Sequence, residues 1–317
     1  MPTTVILSAA RTPIGKLGGG LSSMDATDLG GIAIEAALER AGVEPEQVEQ
    51  VVMGQVLQAG QGQIPSRQAQ IKGGIPKEVP SETINKVCAS GIRSAGIIDQ
   101  AVRAGDVKIA VAGGMESMSS APYLLPKARF GYRMGDAKVI DALVKDGLTN
   151  PFSGRQMADE ASEVAAEVEL TRADMDRWSV RSHERAIAAT DEGRLPDEIV
   201  PVTVKGKKGD TTVEVDEAPR RETTLEALAK LKPIHPDGSH TAGNSPGVND
   251  GAGALVLSSD EWARENGKEI LAEVIAQGAV ADDFAYLART PAKAAKKALE
   301  KAAVSYTHLT LPTTPYV

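Results

Sequence analysis

Over its first 112 residues the chain alternates short apolar runs with stretches of helical period, and this alternation limits its fold more than any other feature. Residues 4–8 have the composition of a buried strand, Leu29, Ile32, Ala33, Ala36 and Ala37 mark an amphipathic helix over 28–41, and residues 51–56 form the next strand. A helix over 66–73 follows, then a short buried strand ahead of Cys88. Ile92, Ala95, Ile98, Ala101 and Val102 recur at helical spacing after Ala89, and residues 107–112 supply another apolar run. Strands alternating with helices imply βαβ units, so the expected class is α/β with a mainly parallel sheet covered by helices on its faces.

Cys88 is the only cysteine in 317 residues, and this pattern delivers it to a strand-to-helix turn. The unpaired N–H groups and positive dipole end of a helix N-terminus favour a thiolate placed there. The small residues Ala89, Ser90 and Gly91 leave room for a substrate to approach. An inert buried thiol is the competing reading, and the residues alone leave both open. A single cysteine excludes an intramolecular disulfide framework and any Cys-based zinc site, which fits a reducing, cytoplasmic setting. Net charge is -8 with no long basic run, so neither nucleic acid nor an anionic membrane is an expected partner. Met1 to Ser8 lack a basic leader and enter a strand directly, so neither a signal peptide nor a membrane span is expected.

The glycines Gly18, Gly19 and Gly20 read as a turn or hinge rather than a phosphate cradle, because the Gly-Lys-Ser/Thr ending of a P-loop is missing. At Gly113-Gly114-Met115 the alternation breaks, and residues 119–245 form a more polar insertion. Helices are expected over 154–168 and 173–190, the second with Arg177, Arg181 and Arg185 on a solvated face. Alternating residues over 198–204 and 211–215 flank Gly206-Lys207-Lys208-Gly209-Asp210 and predict a hairpin. After a Gly- and Asn-rich stretch from Thr241, residues 254–257 read as a strand returning to the first sheet. A helix over 260–266, a strand over 270–276 and a helix over 291–303 with Ala295, Leu299 and Ala302 inward come next. The Thr/Pro-rich residues 305–317 break with everything before them.

Asn85-Lys86-Val87-Cys88-Ala89-Ser90-Gly91 resembles the nucleophile motif of the thiolase family, the acyl-CoA C-acyltransferases. Four more segments resemble that family in the same order: Ser8-Ala9-Ala10-Arg11-Thr12-Pro13-Ile14-Gly15, the stretch from Gly54 to Gln63, Gly113-Gly114-Met115-Glu116-Ser117-Met118-Ser119, and the stretch from Thr241 to Ala252. Five ordered motifs are far more specific than one Gly-rich string. The resemblance implies a layered αβαβα fold with a complete N-terminal half and loop domain and an incomplete C-terminal half. Its divisions would be a nucleophile-bearing core over 1–118, a loop domain for coenzyme A and tetramer contacts over 119–245, a returning strand and helix over 246–268, the start of a second half over 269–304, and an unmatched tail over 305–317.

The implied chemistry is acyl transfer through a Cys88 acyl-enzyme, condensing two acetyl-CoA molecules or running the thiolytic reverse. Coenzyme A is then substrate and product, with no separate cofactor and no metal. The resemblance assigns its contacts to Leu148, Met157, Arg220 and Ala242, with Ser245 offering a hydroxyl. Gln156 stands where many biosynthetic members have His, His235 where they have Phe, and Pro246 where they have Ser. Glu116 reads as a structural carboxylate. Family members also carry Asn-Glu-Ala-Phe, a Gly-His-Pro loop and a second cysteine, none of which occurs here; the histidines are His183, His235, His240 and His308. The expectation is therefore a C-terminally truncated and catalytically incompetent thiolase, against two alternatives: a non-catalytic acyl-CoA binder or oligomerisation partner, and a condensing enzyme of ketoacyl-synthase type. Resemblance also implies a homodimer or homotetramer, with 63–67 and 84–88 at a two-fold axis and the arm 120–140, carrying Pro122, Phe130, Tyr132 and Met134, joining dimers.

Overall fold

The computed structural model describes residues 2–303, so the tail over 305–317, with His308, lies outside the described residues. By internal contacts the chain divides into two units: Met1–Leu148 with Pro196–Ala218 and Val248–Val274, and Thr149–Leu195 with Pro219–Gly247 and the described residues from Ile275.

The first unit is built on strands β1 (Thr4–Arg11), β2 (Gln50–Gly54), β3 (Ser81–Ile84) and β4 (Ile109–Ser117), with helices α1 (Ala26–Ala41), α2 (Pro65–Lys72) and α3 (Ser90–Ala104) between them. Alternate residues of each strand point to opposite faces. Val51 and Met53 of β2 and Ile109 and Val111 of β4 enter one apolar cluster with Leu29, Ala33 and Ile34 of α1, while Val52, Ala110 and Ala112 enter a second with Ile98 and Val102 of α3. The sheet is thereby buried on both faces in an α–β–α sandwich.

Four of the strands run the same way, as the alternation implies. The exception among the long strands is the one that returns to the sheet, β7 (Asn249–Ser259), named after the hairpin strands β5 (Val202–Val204) and β6 (Thr211–Val213) that precede it. It inserts antiparallel between β1 and β4, giving the order β1-β7-β4-β2-β3. Hence the sheet is mixed where a mainly parallel one was expected. Both β4 and β7 are also longer than the sequence suggests. Strand β4 continues through Gly113-Gly114-Met115 without a break, and β7 begins at Asn249 rather than near Ala254. Glycine is a poor strand former, which hid both. Here the glycines serve contact between backbones: a Cβ on Gly113 would lie 2.2 Å from the carbonyl oxygen of Gly253 on β7.

Other expectations need local correction. Strand β3 is a half-exposed edge strand, not a buried one, because it ends the sheet. Ile92 is 83% exposed, so the buried face of α3 is set by Ser94, Ile98 and Val102. Residues 270–276 yield only the two-residue strand Ala272–Glu273 on the outer side of β1, and both residues are exposed. The hairpin forms as expected, with Val202 opposite Val213. Arg11 ties it to β1 by a bidentate pair with Asp216 at 2.8 and 2.9 Å.

In the second unit, α4 (Met157–Glu167) starts later than the expected residue 154, and α5 (Arg172–Asp191) opens with a capping box between Thr171 and Asp174. Asn244 donates to Asp176 of α5 at 2.9 Å, and Phe152 stacks on Phe284 at 4.0 Å between ring centroids. The last helix, Thr290–Lys301, buries no residue; Ala295 is exposed where it was expected inward, and the helix backbone at Ala294 and Ala298 instead approaches Gly278. A cavity of about 640 Å³ lies between α4 and α5, lined by residues including Val164, Val168, Leu170, Met175 and Trp178. No described helix is long and apolar enough to cross a membrane.

Candidate active site

Cys88 lies between the end of β3 at Ile84 and the start of α3 at Ser90, and it is exposed. That removes the reading of an inert buried thiol. The loop around it is held by its own side chains. Asn85 Oδ1 accepts the Val87 N–H at 2.9 Å, an Asx turn. Ser90 Oγ accepts the Lys86 N–H at 2.8 Å and donates to the Val87 carbonyl at 2.6 Å. Between these clamps Val87 takes φ +50°, the left-handed region that a β-branched residue rarely occupies. Backbone strain of this kind persists only where neighbouring contacts enforce it, and it gathers at functional sites.

The helix that follows Cys88 sits hard against the carboxyl ends of the central strands. A Cβ on Gly54, the last residue of β2, would lie 2.5 Å from Ser90 Cβ and 2.9 Å from the Gly91 nitrogen. The absence of a side chain at Gly54 is thus what allows α3 to begin where it does, with Cys88 just ahead of it. Carboxyl ends of strands are where α/β folds collect ligands.

Glu116, near the end of β4, is a structural acceptor as expected: its carboxylate takes the N–H groups of Val56 at 2.8 Å and Leu57 at 3.2 Å. Burial pushes its carboxyl above the usual range, with the Asp250 carboxylate adding to the effect, against the pull of those two bonds. The Gly18-Gly19-Gly20 segment is a turn as read from sequence, and Glu217 takes up its donors: Lys16 N–H at 2.9 Å and Gly20 N–H at 3.0 Å.

The remaining residues singled out from the sequence fall in both units. Leu148, half-buried, belongs to the first. Met157, Arg220, Ala242 and Ser245 belong to the second, with Met157 opening α4, Arg220 and Ala242 exposed, and the Ser245 hydroxyl oxygen buried without a hydrogen-bond partner among the described residues. The Arg220 N–H donates to His183 Nδ1 at 3.2 Å; burial, and then the Arg220 charge, hold that imidazole below its usual pKa. His240 is likewise lowered by burial, and its Nδ1 pairs with Ser162 Oγ at 3.0 Å. The clamps from Asn85 and Ser90 were not anticipated; an Asn two residues before a β-branched residue at a helix entrance is the signal that would have found the first.

Comparison with known proteins agrees with the motifs. The thiolase N-terminal domain profile matches residues 4–261. The acetyl-CoA acetyltransferase of Cupriavidus necator is 46% identical over 304 residues, covering 95% of this chain and 77% of that protein. Its counterpart in Pseudomonas aeruginosa is 44% identical over 313 residues, covering 98% of this chain and 80% of the relative. The solved acetyl-CoA acetyltransferase from Syntrophomonas wolfei superposes with a TM-score of 0.94 at 40% identity, over 97% of this chain and 77% of that one. The Bacillus anthracis structure gives a TM-score of 0.94 at 35% identity, over 97% and 78%. With the five motifs in order, the mixed sheet that carries them and relatives aligned over nearly all of its length, this chain belongs to the thiolase family.

Proposed function

We propose that this chain acts on acetyl-CoA as an acetyltransferase of thiolase type, with Cys88 as the acyl acceptor. The observation that carries the reading is an exposed sole cysteine just ahead of α3, in a loop clamped into a strained conformation. Further support is that the relatives are named acetyl-CoA acetyltransferases. The Cys88 thiolate attacks the thioester carbonyl, the carbon–sulfur bond to coenzyme A breaks, and the proton lost from Cys88 ends on the coenzyme A thiol. The products of this half-reaction are S-acetyl-Cys88 and free coenzyme A.

Completing a Claisen condensation needs a proton removed from the α-carbon of a second acetyl-CoA and a proton managed at the departing thiol. General acid–base groups typically contribute about 10²- to 10⁴-fold each. The 317 residues contain one cysteine, already used, and no histidine between glycine and proline. We therefore assign this polypeptide the acylation step and little of the condensation, and the same composition favours a second reading as a non-catalytic acyl-CoA binder. We assign coenzyme A contacts to Leu148, Met157, Arg220, Ala242 and Ser245. The exposed Arg220 guanidinium suits phosphate or an adenine face, and the buried Ser245 hydroxyl offers a hydrogen bond. Self-assembly through 63–67 and 84–88 into a homodimer or homotetramer, in the cytoplasm, belongs to the same reading.

Intact-mass analysis after incubation with acetyl-CoA tests the proposal. A single acetyl group should add to the parent chain and not to Cys88→Ala, while acetoacetyl-CoA accumulates far below normal enzyme rates. An unmodified parent chain that still binds coenzyme A by calorimetry would select the second reading.

A further inference from the structure

We infer that Glu116 and Asn85 are positioning residues for Cys88, linked in series through the backbone of residues 56 and 57. The inference rests on Cys88 being the acyl acceptor. Glu116 stands on β4, where it pairs with Gly251 of β7 on one side, two residues beyond the point at which the ladder with β2 ends at Gly114 on the other. Its carboxylate seizes the Val56 and Leu57 N–H groups as the chain leaves β2. The segment so held presents the Val56 carbonyl to Asn85 Nδ2 at 3.3 Å. The other end of the same amide accepts the Val87 N–H. Each link thus passes position from a rigid strand to the next, and the last one grips the residue that is out of its preferred conformation.

Val87 is the weak point that makes the series matter. A valine released from φ +50° moves toward the extended or right-handed regions. Because Val87 immediately precedes Cys88, that relaxation would re-aim the thiol relative to the start of α3. Ser90 holds the loop from the helix side through Lys86 and Val87, the Gln55 N–H holds the Ile84 carbonyl at 3.0 Å, and Asn85 joins the two sides by bonding both Val56 and Val87. Within the single chain Asn85 is exposed, so its bonds add little to the stability of the fold. Their effect is on local geometry, which a catalytic thiol requires to a fraction of an ångström.

The test exploits the single cysteine, whose alkylation by iodoacetamide reports on one site without any acyl-CoA. Rate constants across pH, with thermal melts alongside, are measured on the full chain, on Asn85→Ala, Glu116→Ala and the double variant, and on the conservative Asn85→Asp and Glu116→Gln. Both alanine variants should change the alkylation rate by about threefold or more and displace its pH profile. The double variant should change it no further than the larger single effect, because the two residues act in one series. Asn85→Asp retains the acceptor for the Val87 N–H but loses the Nδ2 donor to the Val56 carbonyl, so it should break the series at that link and change the alkylation rate at least as much as Glu116→Ala. Unchanged rates and profiles with only a lowered melting temperature, or effects that multiply in the double variant, would overturn the inference. Should Glu116→Ala fail to fold, Glu116→Gln takes its place alone and in the double variant with Asn85→Ala. A chain whose Cys88 is never acetylated would remove the acetyltransferase reading yet leave this alkylation result standing.

Discussion

At position 87 a conformation that costs stability stands next to the residue proposed to react. A non-glycine residue in a sparsely populated backbone region costs of order 1–3 kcal/mol, and Val87 is 41% exposed, so it recovers little of that by burial. Val87→Gly should accordingly leave stability unchanged or raise it by up to about 1 kcal/mol, with the greater freedom of glycine in the unfolded chain limiting the gain. The same substitution at Val102, fully buried in α3, should cost about 3 kcal/mol or more from lost packing and helix propensity. Denaturant midpoints of the two variants give the comparison directly, and a Val87→Gly protein as damaged as Val102→Gly would mean that the loop is not strained. Glu116 makes a second prediction at this scale. Its folded pKa is raised above the unfolded value, mainly by burial and secondarily by Asp250, so the native state holds the proton more tightly than the unfolded chain. The linked stability is fully present below the ordinary carboxylate value and is lost as pH rises through the raised one. Melting temperatures of the parent should therefore fall relative to Glu116→Gln across the mildly acidic range above 4.5, and parallel curves would refute the assignment.

Among the elements, the junction of β2, α3 and β4 decides where Cys88 lies, and it depends on close backbone approach. Gly54→Ala would press a methyl carbon to 2.5 Å from Ser90 Cβ and 2.6 Å from the Ser90 carbonyl carbon. Backbone cannot yield as a flexible side chain can, so a cost of roughly 1–3 kcal/mol is expected, together with an altered Cys88 alkylation rate because α3 must shift. A stable Gly54→Ala protein with parental alkylation would show that the junction has slack. This junction also separates what the sequence displays from what it conceals. The periodicity of Leu29, Ala33 and Ala37 and the alternation of Val51, Val52 and Met53 were legible because they reflect burial on one face or two. Residues 113–114 were not, since glycine there answers to a neighbouring backbone rather than to local propensity, and Gly251 answers to the Ile14 side chain. Strand β3 seemed buried from Ile84 and Val87, yet its edge position leaves it half-exposed, and position within a sheet is a tertiary property. The identity of Cys88 as a candidate was visible from its uniqueness and its five-motif context, and the clamps from Asn85 and Ser90 onto residues 86 and 87 are local, whereas the bond from Val56 to Glu116 spans 60 residues and no local pattern encodes it.

Across the whole molecule, apolar burial is distributed unequally between the two units. Both hydrophobic clusters lie in the first, which includes the two-sided sheet. Among the described residues of the second, only Val164, Ala165 and Leu228 are buried apolar side chains, and other apolar residues of α4 and α5, such as Met175 and Trp178, line the cavity of about 640 Å³. Buried apolar area is the main favourable term in folding and sets which segments open first. Amide hydrogen exchange should therefore be slowest in β4 and β7 and faster by orders of magnitude in α4 and α5, with early proteolytic cleavage confined to the second unit. Ligand binding supplies the converse experiment. A ligand held by the native state at a hundred times its Kd adds about 2.7 kcal/mol to the stability of whatever must be folded to bind it. Acetyl-CoA bound through Met157, Arg220, Ala242 and Ser245 should slow exchange in α4 and in residues 241–245 while leaving the sheet amides unchanged. Protection confined to the first unit would remove those four residues from the coenzyme A site, and equal exchange in both units without ligand would mean that polar contacts such as Asn244 to Asp176 hold the second unit as firmly as a core holds the first.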